Sequence, residues 1–136
     1  TNTFVTDYSL FIAPETTPPD TEIKTFPSNP SYSANATFTF EGSDNITAPA
    51  NLTFECALDN APQFTACASG QSYGNLTDGQ HTFQVRARDA AGNIDQSPAS
   101  YTWTIDTRPP TLGNYQNASV NLSGNTTVTP DAAPVD

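Results

Sequence analysis

His81-Thr-Phe-Gln-Val-Arg-Ala-Arg88 alternates residue by residue, with Phe83, Val85 and Ala87 falling on one side and Gln84, Arg86 and Arg88 on the other. Period two marks a strand with one buried and one solvated face. The same alternation returns in Ala36-Thr-Phe38-Thr-Phe40 and in Phe54, Cys56 and Leu58 against Thr53, Glu55 and Ala57. It returns again in Tyr101, Trp103 and Ile105 against Thr102 and Thr104. Shorter runs at 22–26 and 63–68 complete the series, separated by Gly, Pro, Asn and Asp clusters, and no stretch keeps a helical period.

Strands are therefore expected at 22–26, 35–41, 52–59, 63–69, 71–75, 81–89 and 99–106. Short antiparallel strands with turn signals roughly every ten residues predict an all-β, immunoglobulin-like antiparallel two-sheet sandwich with extended terminal arms. The single Trp falls on the last strand, so this is a different branch from antibody domains, where the Trp sits beside an intersheet disulfide. Two similar stretches bracket the sandwich: Glu15-Thr-Thr-Pro-Pro-Asp20 and Asp106-Thr-Arg-Pro-Pro-Thr111. Paired prolines exclude helix and force their predecessors into extended geometry, so both read as stiff linkers. The division is an N-terminal strand arm (1–16), the sandwich (17–111) and a C-terminal extension or start of a following module (112–136). A module that opens and closes on the same linker looks like one unit of a tandem array.

With 136 residues there is room for one domain, and eight Phe, five Tyr and one Trp can fill a modest β core. The net charge is −10 with four basic residues, so Lys24, Arg86, Arg88 and Arg108 cannot neutralise a phosphate track and nucleic acid is excluded as a partner. No hydrophobic run approaches a membrane helix, and no signal peptide is visible. Abundant Thr, Ser, Asn and Pro, with no Met, are common in exported proteins. Asn-x-Ser/Thr sequons occur at Asn35, Asn45, Asn51, Asn75, Asn117, Asn121 and Asn125, and chance at this composition would give roughly three. Strand-and-turn sequences rich in Asn and Thr can produce the same enrichment. An extracellular or cell-surface location is expected.

Cys56 and Cys67 flank the Asp59-Asn60-Ala61-Pro62 turn and would face each other across a hairpin. A cross-strand disulfide is expected, the alternative being two buried free thiols. No Cys-x-x-Cys is present, so a thiolate metal or redox site has no support. His81 lacks a partner for a triad and reads as a packed or turn-stabilising imidazole. No paired-carboxylate hydrolase site can be assigned, and no enzymatic activity is expected.

Asn51-Leu-Thr-Phe-Glu-Cys56-Ala-Leu-Asp59, Phe64-Thr-Ala-Cys67, the run from Leu76 to Asn93, and Tyr101-Thr-Trp103-Thr-Ile105-Asp106 together resemble the bacterial Ig-like repeats, akin to hyalin-repeat modules, of large secreted surface proteins. The resemblance covers about residues 17 to 111 and implies a non-catalytic extracellular spacer or adhesion module. Residues 1–16 and 112–136 depart from it. Sandwich topology should gather Asp20, Asp44, Asp89, Asn93 and Asp95 at the pole where the first strand starts, and oxygen ligands from separate segments suit calcium. The alternative for Asp89-Ala-Ala-Gly92-Asn93-Ile94-Asp95 is an Asx-type turn.

The arm, with Phe4, Tyr8, Leu10 and Ile12 on a strand-forming run, needs a cover for its apolar side. It would either complete a neighbouring Ig-like module or pair with an identical subunit in an extracellular filament by strand donation. A carbohydrate-binding module is a third reading. Dispersed Tyr8, Tyr32, Tyr73 and Tyr115 speak against the aromatic row that it would need.

Overall fold

The computed structural model of the chain describes residues 13–110. Seven strands follow in order: β1 (Asp20–Thr25), β2 (Ala36–Ser43), β3 (Thr53–Leu58), β4 (Thr65–Cys67), β5 (Gln71–Tyr73), β6 (Gly79–Arg88) and β7 (Ala99–Ile105). One 3-10 turn, Pro49–Asn51, interrupts the β2–β3 connection. Two antiparallel sheets form, of order β1-β2-β5 and β4-β3-β6-β7. This is the expected immunoglobulin-like sandwich. Strand ends shift by a few residues: β4 and β5 shorten to three residues each because the positive φ of Gly70 turns the chain between them.

Alternation in sequence becomes layering in space. Ala36, Phe38 and Phe40 of β2 pack with Cys56 of β3, Phe83 and Val85 of β6 and Trp103 and Ile105 of β7 in one buried cluster. The Phe38 and Phe83 rings stack at 4.0 Å across the two sheets, and Trp103 stands edge-on to Phe38 at 5.3 Å. Polar residues dominate the outer face of the four-stranded sheet, although Ala57, which alternation assigns to that solvated face, is buried. There Glu55 bridges Arg86 and Arg88 at 2.8 Å each, and the Arg86 guanidinium lies 4.1 Å over the Phe64 ring. The Arg88 guanidinium first, with Arg86 beside it, holds the Glu55 carboxyl below its ordinary range.

Gly42 is where the sheets approach too closely for a side chain. A Cβ there would lie 2.9 Å from Leu52 Cδ1 and 3.0 Å from the Asp20 carbonyl oxygen. The carbonyl belongs to the paired backbone of β1 and cannot swing aside. Gly42→Ala should therefore lower stability by about 1–3 kcal/mol. An unchanged urea midpoint would show that β1 yields without cost.

Candidate functional site

The pole where β1 begins is built from two connections, β2–β3 and β6–β7, and the first linker. In the β2–β3 connection, Asp44 Oδ2 accepts hydrogen bonds from the amides of Ile46 (3.1 Å) and Thr47 (2.8 Å), folding the segment back on itself. The Thr47 amide, assisted by that of Ile46, holds the Asp44 carboxyl below the usual carboxylate range. The Thr47 hydroxyl then accepts the Ala90 amide at 3.1 Å, tying this connection to the loop between β6 and β7. In that loop Asp89, buried at the end of β6, accepts the Asn93 amide on one carboxylate oxygen and Asn93 Nδ2 on the other. Asn93 Nδ2 also donates to the carbonyl of Glu15 at 2.9 Å, which fastens the linker to the loop. Pro19 of the linker is fully buried.

Carboxylate oxygens of Glu15, Asp44 and Asp89 consequently lie within 4.8 Å of one another. Glu15 Oε2 and Asp44 Oδ1 are shielded from solvent and have no hydrogen-bond partner. Oxygens sharing one calcium ion at 2.3–2.6 Å are separated by at most about 5 Å, so the spacing and the hard-oxygen chemistry fit that ion.

Of the five residues expected here, Asp44 and Asp89 supply carboxylates to the cluster, and Asn93 positions Asp89 and the linker. Asp95 does not join them: one of its oxygens accepts the Thr21 hydroxyl at 2.7 Å and the other the amide and hydroxyl of Ser97. Those bonds anchor β1 to the opposite sheet, since Thr21 Oγ1 also accepts the Ala87 amide. Asp20 is exposed, paired with Ser43 at the end of β1. Glu15 takes the place left open. Its signal in the sequence was an acid three residues ahead of each Pro-Pro pair, Glu15 in one linker and Asp106 in the other.

Cys56 and Cys67 are bonded to each other, with Cα atoms 5.9 Å apart. They are not directly opposite, because Cys56 faces Thr65 and Cys67 faces Phe54, so the bridge runs diagonally across the β3–β4 pair. Asn35, Asn45, Asn51 and Asn75 are exposed. Asn117, Asn121, Asn125, and the arm residues Phe4, Tyr8, Leu10 and Ile12 lie outside the described residues. Among the described residues no helix is long and apolar enough to cross a membrane.

The profile of the bacterial Ig-like domain matches residues 29–107. No curated protein matches the chain. Among solved structures, the PKD1 domain of Vibrio anguillarum Epp is similar at 13% identity and a TM-score of 0.48, over 68% of this chain and 100% of that one. The profile match leaves out β1, which is nevertheless a full member of the three-stranded sheet. With more than half of its length covered by that profile, the chain belongs to the bacterial Ig-like domain family.

Proposed function

We propose that this chain is a non-catalytic structural or adhesive module of an extracellular, cell-surface repeat protein, joined to neighbouring Ig-like modules, and that calcium stiffens its first linker. The observation that carries the reading is that both Pro-Pro linkers are fastened to the body at opposite poles. The first is held at its Glu15 carbonyl by Asn93, just beyond the end of β6, and its own Pro19 is buried. The second is held by Asp78, just before β6, which accepts the amide and hydroxyl of Thr107 at 3.0 and 2.8 Å. Ten residues of β6 separate these anchors, about 30 Å at strand rise. A chain that enters one end and leaves the other under restraint transmits direction, as a spacer must.

Calcium would be held by Glu15, Asp44 and Asp89, screening three carboxylates that otherwise repel and clamping the linker against the pole. A filament assembling by strand donation is less well supported. Of the four edge strands among the described residues, β4 and β5 offer three residues each and the end of β7 is already bridged by Ser31, which leaves only the six-residue β1 as an edge such a donor could use.

Melting the full chain with calcium and with chelator tests the metal. At a hundredfold excess over Kd, calcium should stabilise by about 2.7 kcal/mol, and Glu15→Gln or Asp89→Ala should remove the difference. Identical melts in calcium and chelator would leave the pole as a hydrogen-bonded turn. Analytical ultracentrifugation of the same protein decides between module and filament: a monomer supports the spacer, and polymer formation overturns it.

A further inference from the structure

His81, 6% exposed, projects from β6 into the core edge with its ring 5.6 Å from that of Trp103. Both of its nitrogens face oxygens. Nδ1 lies 2.8 Å from Asp59 Oδ2, and Nε2 lies 2.7 Å from the carbonyl oxygen of Thr77. Neither a carboxylate nor a backbone carbonyl has a proton to give. A neutral ring, in either tautomer, would set one nitrogen lone pair against an oxygen lone pair. Only the imidazolium donates at both ends.

Each partner belongs to a different connection. Asp59 sits in the β3–β4 turn with φ +55°, where its other oxygen accepts the Thr82 amide and its own amide donates to the Thr82 carbonyl. Thr77 belongs to the β5–β6 connection, next to Asp78, and Asp78 is the residue that holds Thr107 of the second linker. The charged groups facing His81 are few. Asp59 meets it directly, Asp78 with Arg108 3.8 Å away follows along the β5–β6 connection, and β7 presents the uncharged Trp103.

We infer that His81 is a proton-dependent clasp that ties the β5–β6 connection to the sandwich and, through Asp78, fixes the second linker. The geometry agrees with the titration expected of the ring. The Thr77 carbonyl most of all, with Asp59 adding to it, holds the imidazole above its ordinary 6.5 against the opposing effect of burial. A raised folded value means that the stabilisation is complete below the unfolded value and disappears as pH rises through the folded one. The clasp therefore opens on the alkaline side, and the exit linker loosens while the core remains packed.

The test is nitrogen-15 NMR of the full chain through a pH titration. Both ring nitrogens should carry protons at pH just above 6.5, and the amide shift of Thr107 should inflect at the midpoint of the ring. Asp59→Asn should move that midpoint down, and His81→Gln should abolish the Thr107 inflection. A single neutral tautomer at pH 6.5 would overturn the inference. So would a Thr107 amide that is insensitive to the ring's titration. If His81→Gln fails to fold, the shift of both midpoints together in Asp59→Asn decides the matter, and separate movement overturns it. Because none of these readouts involves calcium, failure here leaves the proposed linker site untouched.

Discussion

Phe83→Ala should lower unfolding free energy by about 3–5 kcal/mol, the range for deleting a buried ring. Phe83 is inaccessible to solvent, stacks on Phe38 at 4.0 Å, and is flanked by Tyr73 and Phe40 with centroids 6.0 and 6.1 Å away. It also lies on β6, which is hydrogen-bonded to strands on both sides. That backbone cannot move inward, so the cavity stays open and the loss should reach the upper part of the range. Domains are stable by only about 5–15 kcal/mol, so a large share of the total would vanish. The melting midpoint should fall by roughly 4–8 °C per kcal/mol for a domain of this size. Tyr32→Ala, at a residue 77% exposed, should change stability by no more than about 0.5 kcal/mol. Equal urea midpoints for the two variants would mean that the stacked ring pair does not hold the sheets together.

The second large effect is expected from the disulfide. Cys56 and Cys67 are separated by eleven positions, and a loop of that length restricts the unfolded chain enough to contribute about 3 kcal/mol in the chain-entropy model. The position of the bridge adds to its importance. β4 has three residues and a neighbour on one side only, so its ladder with β3 is short. Without the bridge, the hairpin would depend on that ladder and on the contact of Arg86 with Phe64. Reductant should lower the melting midpoint of the native chain and leave that of the double variant Cys56→Ala, Cys67→Ala unchanged. Mass spectrometry of the unreduced, denatured protein should find no alkylatable thiol. A native chain indifferent to reductant, or one with two free thiols, would refute the expectation.

The sequence by itself determined the strands and which way their side chains alternate. Alternation in Phe83, Val85, Ala87 and in Tyr101, Trp103, Ile105 assigns faces without reference to any partner, because a strand's side-chain period is set by its own backbone. Gly, Pro and Asn clusters marked where each strand stops, for equally local reasons. What only the tertiary structure decided is which polar groups meet. Asp44, Asp89 and Asp95 look alike as acids on the loops of one pole, yet Asp95 is taken by Thr21 and Ser97 while Glu15 arrives from the linker to complete the cluster. Cys67 lands opposite Phe54 instead of Cys56. His81 finds Asp59 across the sheet and Thr77 one turn back. Such meetings depend on register and on the path of each connection over the pole. A period-two pattern assigns a residue to a face and is silent about its neighbour there, because that neighbour comes from another strand whose register is settled only when the sheets pack.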